Sequence, residues 1–376
     1  MSRRVVVVHS SDEMYGSDRI LLQVVHGIRQ LAGVQVEVWL PDDVPHGATP
    51  LCHELERIRV PLRHLRLPVI RRANLRPGGL VGLLRRSISL GRVLRHERFD
   101  LVYCMTSACL LAAPIARTVG VPSVAVHVHE MWAGREAPLL RALAHFTDLR
   151  ITISPAVDRA AALHDPPSVV VDNCVPHPEH PDVLVDDLAP TGGPRPRFVV
   201  ASRWSAWKGH GTLFEAWERA GCPGHLTVLG GPPPSGPHVD VPALVASVVS
   251  RPSTVDIVGE VADIERHVAA ADVVVLASDA PEPFGLVIIE AFRQGRAAIA
   301  SRAGGPADII TDGEDGWLFA QRDPDDLARV FATVSTADLA GAGARARVAY
   351  LERYTPELFR DRVASLIGDA LDPRRA

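Results

Sequence analysis

Short runs of apolar, mostly β-branched residues recur along this chain, several of them with no polar position inside. The first is Val5, Val6, Val7 and Val8. A strand with one wet face alternates apolar and polar residues, whereas a strand apolar throughout is covered on both faces. Between the runs lie amphipathic stretches. Over 18–31, Ile20, Leu21, Val24, Val25, Ile28 and Leu31 recur at helical spacing. Strands with apolar residues on both faces, alternating with such helices, predict an α/β fold, a parallel sheet with helices on each side.

The alternation runs twice. Strands are expected at 5–9, 34–40, 101–104, 122–128, 149–153 and 168–171, with helices at 18–31, 79–95, 109–119 and 155–163. Proline, acid and glycine then break the pattern over 176–196. It restarts with strands at 198–201, 226–229, 255–258, 272–276 and 297–301 and a short one after the turn at 312–316. Helices are expected at 211–220, 264–270, 286–294, 324–334, 337–351 and 356–371. The 376 residues thus divide into two doubly wound, Rossmann-like domains. The expected bounds are 1–185, a linker at 186–196, a second domain at 197–355, and a terminal helical segment, 356–376, packing back on the first domain. Two such domains are expected to face each other across a cleft, with ligands at the carboxyl ends of the strands.

Charge and cysteine usage exclude several classes. The formal net charge of −4 argues against general nucleic-acid binding. No stretch reaches the ~18 apolar residues of a membrane span. Asp12 and Glu13 follow the first valine run closely, unlike a signal peptide, so a cytoplasmic location is expected. The five cysteines lack ligand-like spacing, so neither a disulfide frame nor a metal site is suggested. From Arg57 to Arg98 the chain carries twelve arginines. They form either a solvated helix face or a basic, partly apolar lip for an anionic acceptor or an anionic membrane surface.

Loops after strands of the second half concentrate the chemistry. In the loop 202–209, Arg203 offers a planar fork and Lys208 a point charge, both suited to a diphosphate. Of the 40 Lys and Arg residues, a single one, Lys208, is lysine. In the loop after 272–276, Glu282 precedes Phe284, Gly285 and Leu286, which open a helix whose first N–H groups can meet phosphate oxygens. Glu290 lies about one turn beyond Leu286 on the same face. The alternative readings are solvated bases and a surface glutamate. Gly304 and Gly305 form a glycine turn after the next strand, entering a helix with Pro306 at an early position.

In this order, these segments resemble the nucleotide-sugar-dependent glycosyltransferases of family 4, which have the GT-B architecture. The resemblance runs through the whole second half. It implies that Arg203 and Lys208 hold a donor diphosphate, that Glu282 contacts the transferred sugar, and that Glu290 contacts the ribose. It places Gly259 and Val261 beside the base through backbone contacts. In the first half, Tyr15, Gly16, Asp18 and Arg19 resemble a loop of bacterial polysaccharide-assembly members, in which the glycine lets the backbone approach the donor. Strand alternation puts His127 and His129 on one face. The family's cleft-facing histidine followed by an acid favours His129, then His127, as the catalytic histidine, with Glu282 beside the reacting sugar.

The function expected is retaining transfer of a sugar from a UDP- or GDP-sugar to a hydroxyl of a glycan, glycolipid or small-molecule acceptor. The resemblance implies no metal or other cofactor, and the sequence has no Asp-x-Asp in a suitable loop. The rivals are a GT-B-fold sugar-nucleotide epimerase or hydrolase and a non-catalytic sugar-nucleotide-binding protein.

Overall fold

The computed structural model describes residues 2–43, 49–71, 77–177, 195–233 and 236–372. The chain forms two compact units, Met1–Asn173 with Pro356–Ala376, and Cys174–Thr355.

The first unit is built on a seven-stranded parallel sheet in the order β3-β2-β1-β4-β5-β6-β7. Its strands are β1 (Arg3–Val8), β2 (Val34–Pro41), β3 (Leu62–Leu65), β4 (Leu101–Cys104), β5 (Ser123–Val128), β6 (Leu149–Thr152) and β7 (Val169–Val170). The helices are α1 (Gly16–Arg29), α2 (Pro50–Arg57), α3 (Pro77–Glu97), α4 (Ala112–Thr118), α5 (Ala137–Ala144) and α6 (Pro155–Ala161). Val5 to Val8 are wholly buried on both faces, as their uniform apolarity requires.

The second unit carries a six-stranded parallel sheet in the order β10-β9-β8-β11-β12-β13. It comprises β8 (Arg197–Ala201), α7 (His210–Arg219), β9 (His225–Leu229), α8 (Val241–Val248), β10 (Val255–Gly259), α9 (Ile264–Ala270) and β11 (Val273–Leu276). Then follow α10 (Leu286–Arg293), β12 (Ala297–Ser301), α11 (Pro306–Ile309), β13 (Gly316–Phe319), α12 (Pro324–Thr333) and α13 (Thr336–Arg353). Phe198, Trp217 and Phe331 meet edge to face at the centre of its core, ring centroids 5.2–5.7 Å apart. In both sheets the strand order reverses once, between β1 and β4 and between β8 and β11. Such reversals open a crevice at the carboxyl ends of the strands.

The last helix, α14 (Pro356–Leu371), belongs to the first unit and packs on α1. Gly27 permits this approach, since a Cβ there would stand 2.9 Å from the carbonyl oxygen of Arg360. The Arg360 guanidinium bonds Gln23 through Nε and Nη2 at 2.8 and 2.7 Å.

The passage between units falls earlier than the sequence suggests. The chain joins the second unit at Cys174, not near 186. Val175 accounts for this. Its N–H donates to the Tyr354 carbonyl at 3.4 Å, and its carbonyl accepts from the Tyr350 hydroxyl at 3.2 Å. The expected linker, 186–196, lies mostly outside the described residues. Four elements had no expectation: α2, β3, α5 and α8. β3 reads Leu-Arg-His-Leu, an edge strand without a β-branched residue. In α8 a valine-rich run reads as strand, but the Asp240 side chain caps it as a helix by accepting from the Ala243 N–H at 3.0 Å.

Candidate active site

In the second unit, the loops after β8 and β11 meet at the reversal of strand order. Gly209 ends the first loop at φ +72°, and a Cβ there would fall 1.8 Å from the Ala277 carbonyl oxygen. Only glycine allows the loop to lie this close against the end of β11. The Asp279 N–H donates to the Trp207 carbonyl at 2.8 Å, and the Thr212 hydroxyl to the Asp279 carboxylate at 2.8 Å. Two residues far apart in sequence are thereby brought together. The Lys208 ammonium donates to Glu282 Oε2 at 2.7 Å, and the Ser278 hydroxyl donates to the same oxygen at 3.0 Å. Lys208 also lies over the Trp207 ring, 4.1 Å from its centroid. Arg203 is exposed at the start of the same loop.

Glu282 is held from its other side by the glycine turn. Its carbonyl accepts from the Gly305 N–H at 2.7 Å, and a Cβ on Gly304, at φ +75°, would meet that carbonyl at 2.1 Å. Phe284 is buried against Tyr354, so its side chain serves the core and only its backbone can meet a ligand. Gly285, at φ +100°, turns the chain into α10, leaving the Leu286 and Val287 N–H groups in the first turn without intrahelical acceptors. Glu290 is half-buried on α10. Gly259 ends β10 at φ +89° with open space where a Cβ would stand, and Val261 packs, partly buried, against the small core cluster that includes Val199 and Leu229.

In the first unit, β1, β4 and β5 end close together. His127 is fully enclosed; its Nδ1 meets the Tyr103 hydroxyl at 3.0 Å, and its ring lies 4.3 Å from that of His129. Burial pushes the His127 imidazole down to about 3. Burial, then His127 and His9, push His129 well below the usual imidazole range. Both rings are therefore neutral near pH 7. Their Nε2 atoms are buried and make no hydrogen bond with any described residue. Glu130 accepts from the Ser107 hydroxyl at 2.5 Å and the Ser107 N–H at 3.3 Å, and the same hydroxyl accepts from Trp132 Nε1 at 2.7 Å.

His9 is the residue the sequence reading did not single out. It directly follows β1, is fully buried, and meets Asp18 of α1 through Nε2 at 2.8 Å. Asp18 also accepts from the Ser11 hydroxyl at 2.7 Å and the Tyr15 N–H at 3.0 Å. Burial pushes the Asp18 carboxyl up, but these bonds and the His9 charge hold it below its usual value. This pair fixes the turn into α1. Gly16 is the first helical residue of α1. The available signal for His9 was its place as the first polar residue after four buried valines.

Two Rossmann-like units, each with its polar cluster at a reversal of strand order, define the GT-B class of nucleotide-sugar enzymes. Comparison with known proteins agrees. A family model described as "Glycosyl transferase 4-like domain" matches residues 16–174, and one described as "Glycosyl transferases group 1" matches residues 195–336. The chain belongs to the family-4 glycosyltransferases of GT-B fold.

Among relatives, a D-inositol 3-phosphate glycosyltransferase of Catenulispora acidiphila is 36% identical over 112 residues, covering 28% of this chain and 26% of the relative. The lipopolysaccharide core biosynthesis glycosyltransferase LpsE of Rhizobium meliloti is 33% identical over 150 residues, covering 39% and 42%. The matches thus span less than half the length of either relative. Among solved structures, HepE of Anabaena in complex with UDP-glucose superposes with a TM-score of 0.79 at 21% identity, covering 97% of this chain and 99% of that one. Sucrose-phosphate synthase of Thermosynechococcus elongatus gives 0.74 at 19% identity, covering 98% of each. At these identities the likeness speaks to fold.

Proposed function

We propose that this chain is a retaining glycosyltransferase that moves a sugar from a nucleoside diphosphate sugar to an acceptor hydroxyl. The observation that carries this reading is the Lys208–Glu282 pair at the strand-order reversal of the second unit. An ammonium has three N–H donors. Lys208 can keep its bond to Glu282 and still donate to a diphosphate oxygen. Arg203 adds a second cation, and the first-turn amides of α10 add neutral donors. Glu282 then takes the transferred sugar's hydroxyls and Glu290 the ribose, while Gly259 and Val261 leave room for the base. The acceptor is assigned to the first unit, with Gly16 as its candidate backbone contact.

Charge on the departing diphosphate is stabilised by Lys208, Arg203 and the helix start, so the transfer step needs no metal. A departing phosphate oxygen takes the acceptor's proton on the face where the new bond forms, which retains configuration. His129, neutral and with an unpartnered Nε2 among the described residues, positions the sugar or the acceptor; His127 supports it.

A UDP-sugar is the first donor to test, because HepE was solved with UDP-glucose. Thermal shift with UDP, GDP and their common sugars, followed by NMR of the product's anomeric centre, tests the reading. Stabilisation by one nucleotide series and a retained anomer are expected. An inverted product, or donor consumed without acceptor, would overturn it.

The acceptor is proposed to be presented at an anionic membrane surface. No described helix is long and apolar enough to cross a membrane. Yet α3 exposes Leu80, Val81, Leu84 and Ile88, by 48–61%, along one side. Arg85, Arg92 and Arg95 are exposed on the same helix, while Leu90 and Leu94 face inward. Apolar side chains framed by arginines suit an interface with anionic lipid. Flotation with phosphatidylglycerol vesicles should carry the protein up, and phosphatidylcholine vesicles should not. Leu84→Asp should weaken binding tenfold or more, from the roughly 1.5–3 kcal/mol of a buried leucine. Equal flotation of parent and variant would remove α3 from the contact.

A further inference from the structure

The sequence separates Asp12, Cys52 and His64 too widely to suggest a metal-binding motif, but the fold gathers them. Asp12 lies in the loop after β1, Cys52 on α2 and His64 on β3. Asp12 and Cys52 are buried and His64 is half-buried. One donor atom from each lies within 4.8 Å of the other two, and no other group of three such donors occurs among the described residues. We propose that these three side chains form a site for a divalent transition metal of zinc type.

Three observations carry the assignment. The donor set combines a thiol, an imidazole and a carboxylate, the ligand types that zinc takes. The spacing also fits. Cys52 Sγ stands 3.3 and 3.4 Å from the Asp12 oxygens, His64 Nε2 lies 3.4 Å from Asp12 Oδ2, and Sγ lies 4.0 Å from Nε2. Zinc bonds of about 2.0–2.3 Å in a tetrahedron put ligand atoms roughly 3.3–3.6 Å apart. Only the sulfur–imidazole edge would have to shorten. Finally, the charges balance: a thiolate and a carboxylate together neutralise a divalent ion, as a largely buried site requires.

On binding, the metal–sulfur bond replaces the S–H bond of Cys52, and one proton leaves to solvent. The Thr49 hydroxyl, 2.5 Å from Asp12 Oδ1, can hold that oxygen from outside the ligand set. Such a site would tie the loop carrying Asp12 to α2 and β3. Its role is to fix that loop, separate from the transfer chemistry proposed for the second unit.

The test is a cobalt(II) titration of the chelator-treated, full-length protein. One ion per chain should bind with a thiolate-to-cobalt charge-transfer band. Zinc should abolish the band and raise the melting temperature, and calorimetry in buffers of different ionisation enthalpy should report the released proton. Cys52→Ser and His64→Gln should each weaken binding about 100-fold. Cys222→Ser, on the second unit, should leave the titration unchanged. If either ligand variant folds poorly, the parent titration decides alone. Absence of a thiolate band at one equivalent of cobalt, or its survival in Cys52→Ser, would overturn the proposal.

Discussion

Replacing Lys208 with alanine is expected to lower sugar transfer on the order of 10²-fold or more, the usual cost of removing one preorganised charge stabiliser. Donor affinity should fall by about 1.5–3 kcal/mol, since a charge-assisted hydrogen bond is lost. The structure adds a second consequence. Glu282 is largely buried and, among the described residues, would keep only the Ser278 hydroxyl as a side-chain partner. A buried carboxylate deprived of its cation destabilises the unit by about 1–3 kcal/mol. The two effects can be separated. Lys208→Met combined with Glu282→Gln removes both charges, so stability should return toward the parent while transfer stays lost. Lys208→Arg should restore little, because a planar fork cannot reproduce a compact ammonium stacked on Trp207. Melting curves and initial rates on the four proteins check this, and undiminished transfer in Lys208→Ala would withdraw the phosphate role.

The second large effect concerns the paired histidines. His127 fills a closed space and meets the Tyr103 hydroxyl, itself wholly buried. His127→Ala should therefore cost about 2–5 kcal/mol of stability, from a cavity and an orphaned hydroxyl. His129 is less enclosed. His129→Ala should fold and bind the free nucleoside diphosphate like the parent, yet turn over far more slowly, because the contact proposed for it would strengthen in the transition state. The pH dependence of folding gives an independent reading. Above about pH 6.5 both rings are neutral, folded or unfolded. Below it the unfolded chain takes up protons that the folded chain refuses, until about 3 for His127. His127 should thus lower stability by about 1.4 kcal/mol per pH unit between roughly pH 6 and 4, and His129, also held below the usual imidazole range by burial, should add to that slope. Urea melts across that window should show the slope decrease in His129→Ala. A slope unchanged in that variant would mean that His129 titrates freely in the folded protein. Normal turnover in His129→Ala, with a folded but inactive His127→Ala, would move the role to His127.

Much of this arrangement is legible in the chain because it rests on local signals. Uniform apolarity of Val5 to Val8 requires two covered faces, and the structure covers both. The loops carrying Lys208 and Glu282 are readable because each directly follows a strand, where doubly wound folds place ligands. Their direct bond is not readable, since it spans 74 positions and depends on the close approach at Gly209. The same holds for Asp12 with His64, 52 positions apart. The boundary at Cys174 is set by bonds to Tyr350 and Tyr354 from the far end of the second unit, which no local composition reveals. Phe284 shows the opposite case: its motif is plain, but burial against Tyr354 assigns its side chain to packing.

The central claim is that the strand-order reversal of the second unit holds the donor, with Glu290 on the nucleotide and Glu282 on the sugar. Calorimetric titration of the parent, Glu290→Gln and Glu282→Gln, each with the free nucleoside diphosphate and with the complete donor, tests it most directly. Glu290→Gln should weaken both ligands alike, whereas Glu282→Gln should weaken the complete donor well beyond any effect on the free diphosphate. Parent-like affinity for both ligands in both variants would contradict the claim.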